Sequence, residues 1–248
     1  MDVIDSIITA ISYIKQPAKR VLIREASKFE GKKGIEIGGP TRFFGLKGGF
    51  PIYLHAAKVD NVNYDSKSFF GDYEAGETFN YHRNKMGHQF IAEATELSSI
   101  PNGRYDFVLS SHSLEHTANP LKALKEWNRI LKPGGELVLL LPDKRYTMDH
   151  KREHTTFSHL LNDFRNSTDE EDTTHFEEIL RNFDEEYEHA DKNKYSELLK
   201  NNIANRCAHH HVFSHGLLKD ALEFTGFTVN MQTEAAPFHL ITLATKNL

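Results

Sequence analysis

Apolar positions recur along the chain in two rhythms. Near the start, Val3, Ile4, Ile7, Ile8, Ile11 and Ile14 return at steps of three and four, the spacing of one helical face, and Pro17 closes or resets that helix. This face predicts a helix packed either on the domain or on a second copy, the latter making a homodimer through the N-terminal helix. With a second helical stretch over 19–29 it makes an N-terminal helical segment, residues 1–30. Asp2 and Asp5 interrupt the opening and no basic leader stands before it, so it does not read as a secretory signal, and a cytoplasmic setting is expected.

The rhythm then changes to short buried strands separated by helices. Residues 34–38, 59–64, 89–94 (the weakest), 105–110 and 136–142 predict strands, and 119–131 predicts a helix stopped by Lys132-Pro133-Gly134-Gly135. Residues 217–224 predict a last helix capped by Gly226, followed by strands over 227–232 and 239–245. The gap between those two is too short for a helical crossover, so they must be antiparallel neighbours. Strands alternating with helices imply α/β architecture: a mostly parallel sheet with right-handed crossovers, an antiparallel C-terminal hairpin and helices on both faces.

Composition narrows the reading further. The chain has 248 residues, 39% hydrophobic and 26% charged, with net charge −5, which fits a single globular domain over 1–248. A mildly acidic total argues against a nucleic-acid partner, and no apolar run reaches the ~18–20 residues of a membrane span, so stable membrane insertion is not expected. Cys207 is the only cysteine, which leaves no disulfide framework and no cysteine-based zinc cage. Residues 143–210 read as an insertion between a strand and the last helix. Within it, 169–191 carries eleven carboxylates against Arg181 alone, the pattern of a solvated helical face or mobile lid.

The candidate chemistry starts at Glu36-Ile37-Gly38-Gly39-Pro40, a carboxylate before a glycine turn at the carboxyl end of the first strand. Ligands of open parallel sheets sit at that edge. A dinucleotide fingerprint would need further glycines where Pro40 and Phe43 stand, so pyrophosphate binding is disfavoured, and no Walker loop is present.

This run resembles the first motif of class I S-adenosylmethionine-dependent methyltransferases, with Glu36, Gly38 and Pro40 at its marked positions. Glu93-Ala94-Thr95-Glu96-Leu97 resembles the family's element beside the adenine, the run from Asp106 to His116 its strand-four motif, and Leu131-Lys132-Pro133-Gly134-Gly135-Glu136-Leu137 its R-x-L-K-P-G-G segment, with Arg129 at the start. The resemblance covers roughly 34–142 and implies a Rossmann-like seven-stranded sheet with S-adenosylmethionine as cofactor. It places Glu36, Gly38, Gly39 and Pro40 around the methionine part, Asn63 or Asp65 at the ribose, Glu93 and Ala94 at the adenine, and Ser110 and His112 beside them. Pro142 to Thr155, then His159 and Asp163, resemble a bacterial subgroup associated with glycosyltransferases and cell-surface polysaccharide assembly. That implies a small or sugar-linked acceptor, methylated at oxygen, in capsule or O-antigen biosynthesis.

Methyl transfer to a hydroxyl calls for a base, and histidine is the natural one near neutral pH. The chain carries 15 histidines. His112 is the favoured pocket residue. His116 is open between orienting the following helix and facing substrate, and His159 and His211 complete the candidate catalytic histidines. Asp143, Arg145, Arg152 and Asp163 are the candidate acceptor contacts, with salt bridging to the acidic segment an equal reading for the arginines. No HExxH or other fixed-spacing motif is present, so no metal is assigned; His159, Asp163 and His211 are the set that a metal-dependent alternative would use. A cofactor-binding protein without catalysis is the remaining alternative.

Overall fold

The structure is a computed structural model that describes residues 20–68 and 71–248; the helical face of residues 3–14 and the dimer expected through it lie outside them. An eight-stranded sheet organises the chain. Its strands are β1 (Lys33–Ile37), β2 (Lys58–Asn63), β5 (Gly76–His82), β6 (Lys85–Ile91), β7 (Tyr105–Ser111), β8 (Leu131–Pro142), β9 (Phe227–Ala235) and β10 (His239–Lys246), while β3 (Lys67–Ser68) and β4 (Gly71–Asp72) form a separate hairpin. The order is β5-β6-β2-β1-β7-β8-β10-β9. From β6 to β8 the neighbours are parallel, and β10 is antiparallel to both β8 and β9.

The expected topology is therefore present with one strand more than seven. The addition is β5, which pairs antiparallel with β6 at the sheet's edge. Phe79 and Tyr81 alternate inward along it, and His82 pairs with Lys85 across a tight turn in which Arg83 takes φ 46°.

Each face of the sheet buries its own core. One holds Trp127, Leu121 and Leu124 of α3 (Pro120–Ile130) with Leu217 and Leu222 of the helix His215–Phe224, against Ile37, Val108 and Leu139. Asn119 caps α3 by accepting the amide of Lys122, the role its residue type favours. The opposite face packs Phe29, Phe44, Phe50 and Tyr53 against Phe107 and Val138, with α1 (Arg20–Ala26) and α2 (Ile52–His55) supplying the cover. A third, small core of Ile179, Leu199 and Ala208 lies inside the insertion.

That third core adds an inward side to the acidic run, of which Asp169, Glu171, Glu177, Glu185, Glu186 and Asp191 are exposed. The insertion is a set of helices: α4 (Phe157–Asn166), α5 (Phe176–Asn182), α6 (Glu185–Glu188), α7 (Lys192–Lys200) and α8 (Asn202–Asn205), with His215–Phe224 following as α9. Several of its acids face partners: Glu170 pairs with Arg206 at 2.8 Å, Glu178 with Arg152 at 2.9 Å and Asp184 with Lys151 at 2.6 Å. A net charge says nothing of which carboxylates are paired, and here the pairing builds the lobe.

Candidate active site

The carboxyl ends of β1, β2, β6 and β7 converge on a cavity of about 510 Å³, roofed by the insertion. A volume of that size suits a small-molecule ligand. Its floor is the turn after β1. Gly38 takes φ +82°, and a Cβ on it would stand 2.3 Å from Oγ of Ser113, which itself donates to the Ile37 carbonyl. The amide of Gly38 donates to the Val62 carbonyl at 2.8 Å, and Asn61 brackets Gly39, accepting its amide at 3.0 Å and donating to its carbonyl. The turn is thus fixed from the second strand, and only glycine fits the first position.

Glu36 lies behind this turn and does not line the cavity. It is fully buried, in contact with the place where a Gly39 side chain would begin, and accepts a hydrogen bond from the Tyr53 hydroxyl, which also receives the amide of Thr41. Burial pushes its carboxyl up to about 7, the bond from Tyr53 opposing the shift. The alternation along β1 turns this side chain away from the edge, so it supports the loop from beneath.

Between the two ribose candidates the structure separates clearly. Asn63 is buried, lines the cavity, and belongs to an amide network with Asn61 and Gln89. Asp65 is exposed, because the chain has left the strand, and its carboxylate closes a local turn on Ser66 and the Lys67 amide. At the end of β6, Ala92, Glu93 and Ala94 form the next wall, with Ala94 held by the indole of Trp127 at 3.0 Å.

Past β7, Ser111 lines the cavity and the expected Ser110 does not, since successive strand side chains point to opposite faces and Ser110 points inward. His112 lines it too, with φ 51°, an uncommon conformation for a residue with a side chain, and its amide is tied to the Leu140 carbonyl at 2.9 Å. Its Nδ1 stands 3.4 Å from Glu115 and its Nε2 2.8 Å from Nδ1 of His239. Burial opposes the charge of Glu115, yet His112, His116 and His209 around it hold the carboxyl below its usual range. Burial drives His116 down to about 4, and its Nδ1 donates to the Ala208 carbonyl, so it fastens the insertion while one side borders the cavity.

The roof is a charge latch. Arg206 of the insertion pairs with Glu93 of the sheet and with Glu170, and its guanidinium lies 5.0 Å from the Tyr64 ring centroid. Burial raises both carboxyls, and Arg206 counters that rise. Glu170 and Arg206 escaped sequence reasoning, since no motif spacing marks them, and Glu115, although inside the run from Asp106 to His116, was given no role there; the fold brings all three to the edge.

The expected acceptor contacts fall elsewhere. Arg145 is clamped by Asp143 at 2.9 Å and reaches Glu234 at 2.8 Å, a local pairing at the base of the insertion. Arg152 is 3% exposed and ties Asp149, Glu178 and the His209 carbonyl, so it staples the insertion's interior. His159, Asp163 and His211 do come together, but none of them lines the cavity.

The wall of Ile37, Val62, Ala92 and Ala94, with the amide of Asn63 beside it, offers an apolar slot with a polar rim, which fits a nucleoside; the glycine turn leaves room for the rest of such a molecule. Comparison with known proteins agrees. A model of the methyltransferase domain matches residues 12–232. Among solved structures, an S-adenosylmethionine-dependent methyltransferase from Mesorhizobium loti superposes with TM-score 0.53 at 14% identity, covering 93% of this chain and 96% of that one. A candidate methyltransferase from Bacillus halodurans superposes with TM-score 0.51 at 12% identity, over 93% and 99% of the two chains. A search of curated proteins returns no match to the sequence.

Proposed function

This chain belongs to the methyltransferase-domain family with S-adenosylmethionine as methyl donor, and we propose that it methylates an oxygen of a small or sugar-linked acceptor, as in assembly of bacterial surface polysaccharide. The observation that carries the oxygen assignment is the Glu115–His112–His239 array at the cavity wall. A hydroxyl must lose its proton as it attacks, whereas an anionic acceptor needs no such help.

When bound, the cofactor supplies a sulfonium-activated methyl group, the electrophile of an in-line displacement. The chain's own task is placement and proton handling. Gly38 and Gly39 hold the methionine part, Asn63 the ribose, and Ala92, Glu93 and Ala94 the adenine. Fixing donor and acceptor in this way supplies about 7–11 kcal/mol of the barrier. His112, its Nε2–H donating to Nδ1 of His239, takes the acceptor proton on its free Nδ1, and Glu115 beside that nitrogen stabilises the imidazolium formed. The Arg206 latch keeps water out while the insertion contributes the acceptor's surroundings. A cytoplasmic setting completes the reading; among the described residues no helix is long and apolar enough to cross a membrane.

The test is a mass-resolved methylation screen with the purified chain, S-adenosylmethionine and a panel of nucleotide sugars, capsule precursors and small phosphorylated acceptors. The proposal expects one added methyl on a hydroxyl-bearing acceptor with matching release of S-adenosylhomocysteine. Transfer confined to amine or thiol acceptors would refute it.

A further inference from the structure

We infer that His159, Asp163, His175 and His211 form a binding site for a divalent transition-metal ion of the zinc class, which fastens the insertion to the sheet domain. His159 and Asp163 stand one turn apart on α4, so they share a face. His175 directly precedes α5, and His211 lies on the segment that returns from the insertion to α9. One ring nitrogen from each of the three histidines falls within 4.8 Å of the other two.

Part of the set already stands at the spacing of a tetrahedral centre. Metal–ligand bonds of about 2.0–2.1 Å place neighbouring ligand atoms about 3.3 Å apart. Here Nε2 of His159 is 3.1 Å from Nε2 of His175 and 3.3 Å from Oδ2 of Asp163.

A hydrogen bond between His159 and His175 would account for that pair alone. It leaves Oδ2 of Asp163 and Nδ1 of His211 buried without a hydrogen-bond partner among the described residues, and His211 is 1% exposed. One cation satisfies the whole set. The surroundings also orient the ligands: His211 donates from Nε2 to the Ala118 carbonyl at 3.2 Å, and the other oxygen of Asp163 accepts from Thr168.

Three imidazoles and one carboxylate favour zinc or cobalt over magnesium or calcium, which prefer oxygen ligands. With the Asp163 carboxylate, 3.3 Å from His159, closing the three-histidine group as fourth donor, no position stays open and the ion is structural. It joins α4, the loop before α5 and the return segment, the parts that carry Glu170 and Arg206 over the cavity. The half-exposed side of His159 gives the ion its entry path; its side chain is 38% exposed.

The test is elemental analysis of the full chain, purified without chelator and dialysed against micromolar zinc. About one equivalent per chain is expected, with a visible absorption of tetrahedral type after cobalt exchange, and a melting temperature that falls with EDTA and recovers with zinc. His175→Gln and Asp163→Asn should each bind zinc at least about tenfold more weakly, whereas His88→Gln, on β6 outside the cluster, should bind normally. Circular dichroism and cofactor titration report whether each variant is folded. A wild-type chain that retains no zinc, cobalt or nickel overturns the proposal whatever the variants do. So does zinc held equally by folded His175→Gln and Asp163→Asn. Neither result bears on whether the chain transfers methyl groups.

Discussion

Nδ1 of His112 stands 3.4 Å from Oε1 of Glu115, a carboxylate that is 1% exposed and, among the described residues, accepts no hydrogen bond. The pair is held in an expensive conformation, since a non-glycine residue with positive φ costs of order 1–3 kcal/mol, and His112 adopts φ 51°. Such strain persists where the surroundings enforce it, here through the amide tie to Leu140.

With the acceptor found by the methylation screen, His112→Ala should lower kcat about 10²–10⁴-fold. Glu115→Gln should lower it less and move the acidic limb of the pH–rate profile, because the imidazolium loses its counter-charge. Cofactor affinity by calorimetry should change little in the Glu115 variant. Unaltered kcat in both variants would remove the base from the mechanism.

Gly38→Val should remove cofactor binding while leaving the far-ultraviolet circular dichroism intact. The new side chain must adopt φ +82° and displace the Ser113 hydroxyl, which reshapes the cavity floor. A variant titrating with S-adenosylmethionine as the parent does would show that the floor lies elsewhere.

Arg152→Ala should destabilise the chain by about 3–5 kcal/mol, the effect of stripping one partner from a buried ion pair, since Asp149 would stay buried and charged. Urea unfolding measures this. The same variant at low temperature, where it remains folded, should keep the parent's KM for the acceptor. A rise in KM without loss of stability would return Arg152 to acceptor binding.

Glu36 predicts a pH signature. Its folded value near 7 lies above the ordinary carboxyl value of 4.5, so the folded state binds this proton more tightly than the unfolded state. Stability from this group is complete below 4.5 and is lost as pH rises through about 7, a span of about 3 kcal/mol at 1.36 per unit. The stability of Glu36→Gln relative to the parent should therefore improve between pH 5 and 8. Parallel stability curves for the two proteins would contradict a protonated Glu36.

Most of the parallel sheet was legible because strands buried on both faces carry apolar runs, Leu137 to Leu141 as a continuous one and Phe107-Val108-Leu109 as a shorter one. The edge strand β5 was not: only Phe79 and Tyr81 point inward, and the exposed Glu77 and Thr78 mask the alternation. The glycine turn, the Glu93-Ala94 wall and His112 were named because contiguous motifs mark them, whereas strand register alone left Asn63 and Asp65 as alternatives. Ser110 was named where Ser111 lines the cavity, a slip of one residue that reverses the face. Arg152 read as an acceptor contact because a sequence shows charge but not its partner, and that partner, Asp149, is itself buried. His175 lacked any spacing cue to His211; the fold of the insertion is what joins them.

The guanidinium of Arg206 balances one carboxylate from the sheet, Glu93, and one from the inserted lobe, Glu170. The lobe is consequently no free cassette. Grafting it onto another scaffold transfers the arginine without its counterpart after the sixth strand, so a chimaera would have to carry both halves of that electrostatic contract, while the outward surface of the lobe stays free to diversify.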